Sequence, residues 1–220
     1  MILLKSEARD IFLEEISPFM KSRDFHLLKK DFDFVRKTSV GAEYFVADFA
    51  SGFGITPILG LRNDAVLEIL DGLRTPSPYK HRRTIVLYCG NQLKNPEDPD
   101  AQVPNHQWEA STIKEVLSVV KLCELFVEQY AEAWYRFFSN PDTAVKGLIE
   151  PKTEMKITHT TDGYRTALAI ALSKNDREML AIIIESMKTM IATKERIDFY
   201  NQIQNKYPDF FPTENPFVKA

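Results

Sequence analysis

Apolar positions along the chain change their spacing several times, and each change marks an element. In SEARDIFLEEISPFM the residues Ala8, Ile11, Phe12, Ile16, Phe19 and Met20 recur three and four apart, which predicts an amphipathic helix. Ser6 is placed to cap it, Glu7 and Asp10 suit its first turn, and Pro18 is expected to break or kink it. The period then drops to two. In FHLLKKDFDFVRKT, Phe32 and Phe34 alternate with acids; a turn follows at Ser39 to Gly41, and in EYFVADF the side chains of Phe45, Ala47 and Phe49 share a face. After the turn SGFG, the run ITPILGLR points Ile55, Leu59 and Leu61 one way, with Pro57 marking an edge or a bulge.

Helical spacing returns in NDAVLEILDGLR through Val66, Leu67 and Leu70, with Asn63 as cap, and TIVLYCG then reads as a strand buried on both faces. From a cap at Ser111 or Thr112 a long helix is predicted to about Ser139. Its stripe is Ile113, Val116, Leu117, Val120, Cys123, Val127, Tyr130, Ala131, Trp134 and Phe138, widened by Val119, Leu122, Phe126 and Phe137. A stripe that wide needs cover on two sides, so this helix is expected to be a central spine, roughly 40 Å long. PDTAVKGLIE, DGYRTALAIALSK, NDREMLAIIIESMKTMIA and ERIDFYNQIQNKY complete the chain as helices, the middle two separated by a cap at Asn175.

The expected class is therefore α+β: an N-terminal helix and antiparallel β-meander packed on a long central helix, followed by a C-terminal helical segment. Residues 1–220 form one domain in this reading, with helix plus meander over 1–110 and mostly helix over 111–220. In the tail YPDFFPTENPFVKA, Pro208, Pro212 and Pro216 exclude a helix, yet its aromatic residues are too apolar for a free end. At least two of its phenylalanines are expected to insert between helices or into a second copy.

Composition narrows function by exclusion. The 220 residues are 44% hydrophobic and 27% charged, with 28 Lys and Arg against 31 Asp and Glu, evenly divided between the halves. Without a concentrated basic face, nucleic acid is not expected as a partner. The run Lys80-His81-Arg82-Arg83 reads as a solvated loop or strand entry. Cys89 and Cys123 sit among apolar neighbours and read as inert buried thiols, too few for a disulfide framework. MILLKSEARD lacks a signal-like apolar region, and TIVLYC and AIII are too short to span a bilayer, so the expectation is a cytoplasmic protein without a membrane partner.

Phosphate-loop, zinc and nucleophile-elbow signatures are absent, and no cofactor is implied. Asp31 and Asp33 could flank a cation from one strand face, but a solvent face opposite Phe32 and Phe34 explains the alternation. In NPEDPDAQVPNHQWEAST, residues 95 to 112, Glu97, Asp98, Asp100 and His106 have the chemistry of metal ligands. Pro96, Pro99 and Pro104 hold them extended, so an exposed loop without metal is expected, and Trp108 reads as a structural anchor or staple. The four histidines, at 26, 81, 106 and 159, are dispersed. No residue set is assigned a catalytic role.

FLEEISPFMKSRDFHLLKKDFDFVRKT, then YFVADF, ITPILGLR, and QWEAST before a helix ending AWYRFF, resembles a loose group of uncharacterised bacterial domains. These open with a helix and a Gly-Phe-like turn into a β-meander and carry a tryptophan before a long helix. The similarity covers the first two thirds of the chain, and Asp24 stands where that turn has glycine, ahead of Phe25. Some members have been proposed as immunity proteins against polymorphic toxins. The resemblance implies a non-enzymatic bacterial protein-binding module that neutralises a toxin. The alternatives are a small hydrolase or transferase assembled from Asp31, Asp33, His106 and Glu109, or an oligomeric scaffold built on the apolar helices.

Overall fold

A computed structural model describes residues 2–49, 54–73, 83–88, 108–149, 163–191, 193–212 and 215–217. Helix α1, Lys5–Ser22, buries Ala8, Phe12, Leu13, Ile16 and Met20, the predicted apolar face. Its cap is Leu4 and not Ser6, because the Glu7 carboxylate accepts the Leu4 N–H at 2.7 Å and fixes the first turn one residue earlier. Pro18 does not end it. The helix runs on to Ser22, and the neighbouring Ser17 hydroxyl donates to the Leu13 carbonyl.

The end of α1 answers the question posed by Asp24. Phe25 N–H bonds the Met20 carbonyl at 3.0 Å and Asp24 N–H the Lys21 carbonyl at 3.1 Å, with Asp24 at φ 64°. This is a Schellman stop, and Asp24 occupies its left-handed position, where glycine costs least. Phe25 is thereby turned into the core.

The meander is antiparallel throughout: β1 His26–Leu28, β2 Asp33–Thr38, β3 Gly41–Phe49, β4 Gly54–Asn63 and β5 Ile85–Tyr88 lie in chain order, and β6, Trp108–Glu109, pairs the far end of β4. Phe34, Phe45 and Leu59 stand opposite one another across three strands, all buried. Asp31 and Phe32 lie in the β1–β2 turn and not in a strand. Phe32 takes φ 58°, with the Arg9 guanidinium 3.9 Å from its ring centroid. Pro57 is not in a bulge, and it lies on a locally open edge of β4. It pairs with Ala47 in unbroken register and falls between the stretches of β4 that bond β5 and β6, where no described strand lies beside it on that side. Gly41 is required at the β2–β3 hairpin, since a Cβ there would stand 1.9 Å from the Arg62 carbonyl oxygen.

Helix α2, Asp64–Gly72, is capped by Asn63, whose Oδ1 accepts the Val66 N–H at 3.2 Å. The spine is helical over residues 113–139 as α3, Ile113–Phe126, a π turn at Val127–Ala131, and α4, Glu132–Ser139. Thr112 and Glu115 close a reciprocal capping box at its start. Trp108 is buried, as a strand residue opposite Ile55 and not as a helix staple. The Tyr135 hydroxyl donates to the Tyr44 carbonyl at 2.7 Å and pins the spine to the sheet. Trp134 is fully buried against Tyr135 and Phe138. Two positions of the predicted stripe, Ile113 and Leu117, are exposed.

Four helices follow: α5 Pro141–Ile149, α6 Gly163–Lys174, α7 Arg177–Met187 and α8 Lys194–Lys206. Asn175, at φ 54°, terminates α6 in the left-handed position, while Asp176 caps α7. The tail behaves as a strap: a short 3₁₀ turn at Pro208–Phe210 leads to Phe211 and Phe217, both buried edge-on to the Tyr200 ring, with Phe217 also against Tyr164. Buried side chains from α1 to Phe217 form one contiguous apolar core. The fold class is α+β, as the spacing predicts.

Candidate functional site

The four residues proposed for a dispersed active site do not assemble. Asp33 and Glu109 are three strand spacings apart and offset by four residues along the strands, roughly 19 Å at about 4.8 Å per strand and 3.3 Å per residue. Asp31 is in the β1–β2 turn, and His106 lies outside the described residues together with Glu97, Asp98, Asp100 and Cys89. Among the described residues no group of three His, Cys, Asp or Glu side chains is placed to hold a metal ion. His26 is exposed on β1, and burial pushes the Cys123 thiol far above its ordinary range, consistent with an inert core cysteine.

Asp33 corrects the expectation of a solvent face. Its carboxylate is 1% exposed and accepts from the Arg83 guanidinium, itself 6% exposed, at 2.5 Å. Arg83, expected in a solvated loop or at a strand entry, stands just before β5, lies over Gly60 and places its guanidinium 4.9 Å from the Tyr44 ring centroid on the way to Asp33. A Cβ at residue 60 would stand 2.5 Å from the Arg83 Cδ, so glycine opens the channel this side chain occupies. Nothing in the spacing of DFDF signals that one of its acids is buried; the partner is 50 residues away.

A second charged set gathers where the π turn meets the sheet. Arg36, on β2, donates through Nε to Glu43 at 2.5 Å and through both terminal nitrogens to Glu132 at 3.0 and 2.9 Å. Its Nη1 also reaches the Arg23 carbonyl at 3.2 Å, and its plane stands 4.5 Å from the Phe25 centroid. Arg23 continues the chain to Glu128 at 2.8 Å. Desolvation is the main influence on Glu43 and raises its carboxyl above the usual range against the pull of Arg36. Arg36 uses all three guanidinium nitrogens within the protein, so the cluster clamps helix to strand.

Two concavities lie among the described residues. The larger, about 510 Å³, opens between the Ser39-Val40 hairpin tip, the start of α2 and the end of α6. Its walls are Leu61, Val66, Ile85, Phe138 and Ile170, and its main charges, Arg62 and Asp64, are paired at 2.8 Å. The second, about 390 Å³, is a groove between α5 and α7. Val145, Ile149, Met179 and Ile182 supply apolar surface, and Asp142, Asp176, Glu178 and Lys146 the rim. Ile182 is 57% exposed at the centre of the outer face of α7, the one large apolar side chain of that helix left in solvent.

The position of the groove follows from local sequence. Pro141 starts α5 directly after the spine, and Asn175-Asp176 turns the chain between α6 and α7, which sets α7 beside α5. Sequence reasoning placed these helices but found no site on them, because Ile182 belongs to the run AIII and reads as core. No protein-family model matches the chain, and neither a curated protein nor a solved structure matches it. No helix among the described residues is long and apolar enough to cross a membrane.

Proposed function

We propose that this chain is a non-enzymatic protein-binding module of the bacterial cytoplasm, and that its docking surface is the α5–α7 groove. The observation that carries the reading is Ile182, a large aliphatic side chain more than half exposed between the apolar walls and the acidic rim of that groove. Removing such a side chain from water is a main source of affinity at interface centres, and a charged rim selects the partner. With Asp142, Asp176 and Glu178 against Lys146, the fitting partner presents an apolar helix edge flanked by Lys or Arg.

In its specific form, drawn from the resemblance of the first two thirds of the chain, the partner is a toxin and this protein neutralises it. Closure of the Arg36 and Asp33 ion sets on partners within the chain is in keeping with a binding role. The test is a toxin encoded beside this gene. The purified pair should associate at micromolar concentration or tighter, and Ile182→Asp should weaken association at least about tenfold, as loss of a central apolar contact does. Absence of association at micromolar concentration ends the immunity reading, and a wild-type affinity for Ile182→Asp moves the docking surface elsewhere.

A further inference from the structure

The exposed apolar residues of the spine are not scattered. Ile113, Leu117 and Leu125 are 48%, 38% and 42% exposed and fall, with Lys121, at four-residue spacing along α3, which makes one ridge on its solvent face. Lys121 stands on that ridge and Lys114 beside its start, and both are exposed. Ridge and groove are opposite in sign, and the groove, lined over residues 142–149 of α5 and 176–182 at the start of α7, takes about two turns of such a ridge. Lys114 and Lys121 edge the first turns of the ridge, with Glu124 and the Arg23-paired Glu128 beside its far end, and the groove is rimmed by three acids and a single lysine.

A molecule's own ridge does not reach its groove. The centre of the ridge lies some 20 residues before α5, roughly 30 Å along the spine. We propose that the α5–α7 groove receives the α3 ridge of a second copy of this chain, so that self-association and the binding of another protein compete for one surface. The inference rests on the reading of that groove as a docking surface. It adds a definite occupant, chosen by charge complementarity, and a consequence. Ridge and groove are different patches, so the contact is head-to-tail; unless its geometry closes a ring, each added copy leaves one ridge and one groove open. A single helix in a short groove also belongs with small, reversible interfaces, so the association should depend on concentration and weaken with salt.

Sedimentation equilibrium on the full chain, from micromolar to submillimolar, tests this with two charge-reversed variants. The ridge variant is Lys114→Glu with Lys121→Glu, and the groove variant is Asp142→Lys with Glu178→Lys. The wild-type mass average should rise with concentration. Each variant alone should stay monomeric, its association weakened at least about tenfold by like charges brought face to face. An equimolar mixture should associate again, because the acidic ridge of one variant meets the basic groove of the other. These are surface changes, and circular dichroism verifies that each variant is folded. A wild-type chain that stays monomeric, variants that associate as the wild type does, or a mixture that fails to recover would each overturn the proposal. If the wild type is monomeric yet binds a toxin through Ile182, self-association falls and the docking reading stands; if Ile182→Asp self-associates normally, the groove itself is excluded.

Discussion

Replacing Arg83 by alanine should be among the most damaging single changes in the sheet. The guanidinium satisfies a carboxylate that is 1% exposed, so the variant leaves Asp33 buried without its arginine. Removing one partner of a buried pair costs about 3–5 kcal/mol, most of it the cost of the stranded charge. The aliphatic stem is lost too, and with it the packing over Gly60 and across the Tyr44 ring. A domain holds about 5–15 kcal/mol in total, so the variant should be marginal. For a chain of this length each kcal/mol shifts the melting temperature by about 2–4 °C, which gives a fall of about 6–20 °C.

A cycle of urea denaturations separates the pair from its surroundings. Asp33→Leu and Arg83→Met should each destabilise strongly, while the double variant should recover much of the loss, because an apolar pair of similar bulk needs no compensating charge. The recovery depends on packing, and Gly60 leaves the methionine the same channel that the arginine stem occupies. If either single variant costs under about 1 kcal/mol, the range of an exposed ion pair, then Asp33 is reached by water and the burial argument is wrong.

Two further changes probe positions where backbone or proton chemistry is decisive. Asp24→Gly should stabilise the protein by about 0.5–1 kcal/mol, because the φ of 64° is held at the cost of a Cβ, and a lower melting temperature would mean that the aspartate side chain contributes to the turn. Hydrogen bonds from Ser111, then those from Thr112, hold the Glu115 carboxyl below its usual range, so its contribution is present above pH 4.5 and is lost as pH falls through the lower folded value. Glu115→Gln should therefore flatten the acid limb of a helix-content titration, and superimposable limbs would refute the cap's role.

Element types were readable because each rests on local chemistry. Asn63 and Thr112 cap where their side chains reach the third amide on, and the alternation in EYFVADF maps onto β3. What escaped has a distant cause. DFDF looks amphipathic, but its first acid lies in a turn with Phe32 at positive φ, and its second is drawn inward by Arg83. The reach of Arg83 into the sheet depends on Gly60, a position that carries no signal of what will cross it. The left-handed positions at Asp24 and Asn175 were visible only as unusual residues at helix ends, and the resemblance drew attention to the first of them.

The width of the spine's stripe shows most clearly where pattern stops and tertiary structure decides. Apolar residues run along both flanks of α3, with Val119 and Phe126 on one side and Ile113 and Leu117 on the other, so periodicity alone calls for cover on both. α1 packs beside α3 and the Val119 flank is buried; the Ile113 flank is left open by the described residues. The π turn contributes to this, because its extra residue rotates the following turns, allowing Tyr130, Ala131, Trp134 and Tyr135 all to face inward while the start of the helix keeps its own orientation. An apolar flank that the fold does not absorb, spaced as a helix ridge and edged with lysines, is the same kind of leftover as Ile182 in its acidic groove. Neither is covered by the described residues, and their opposite charges are the reason to test them first against each other.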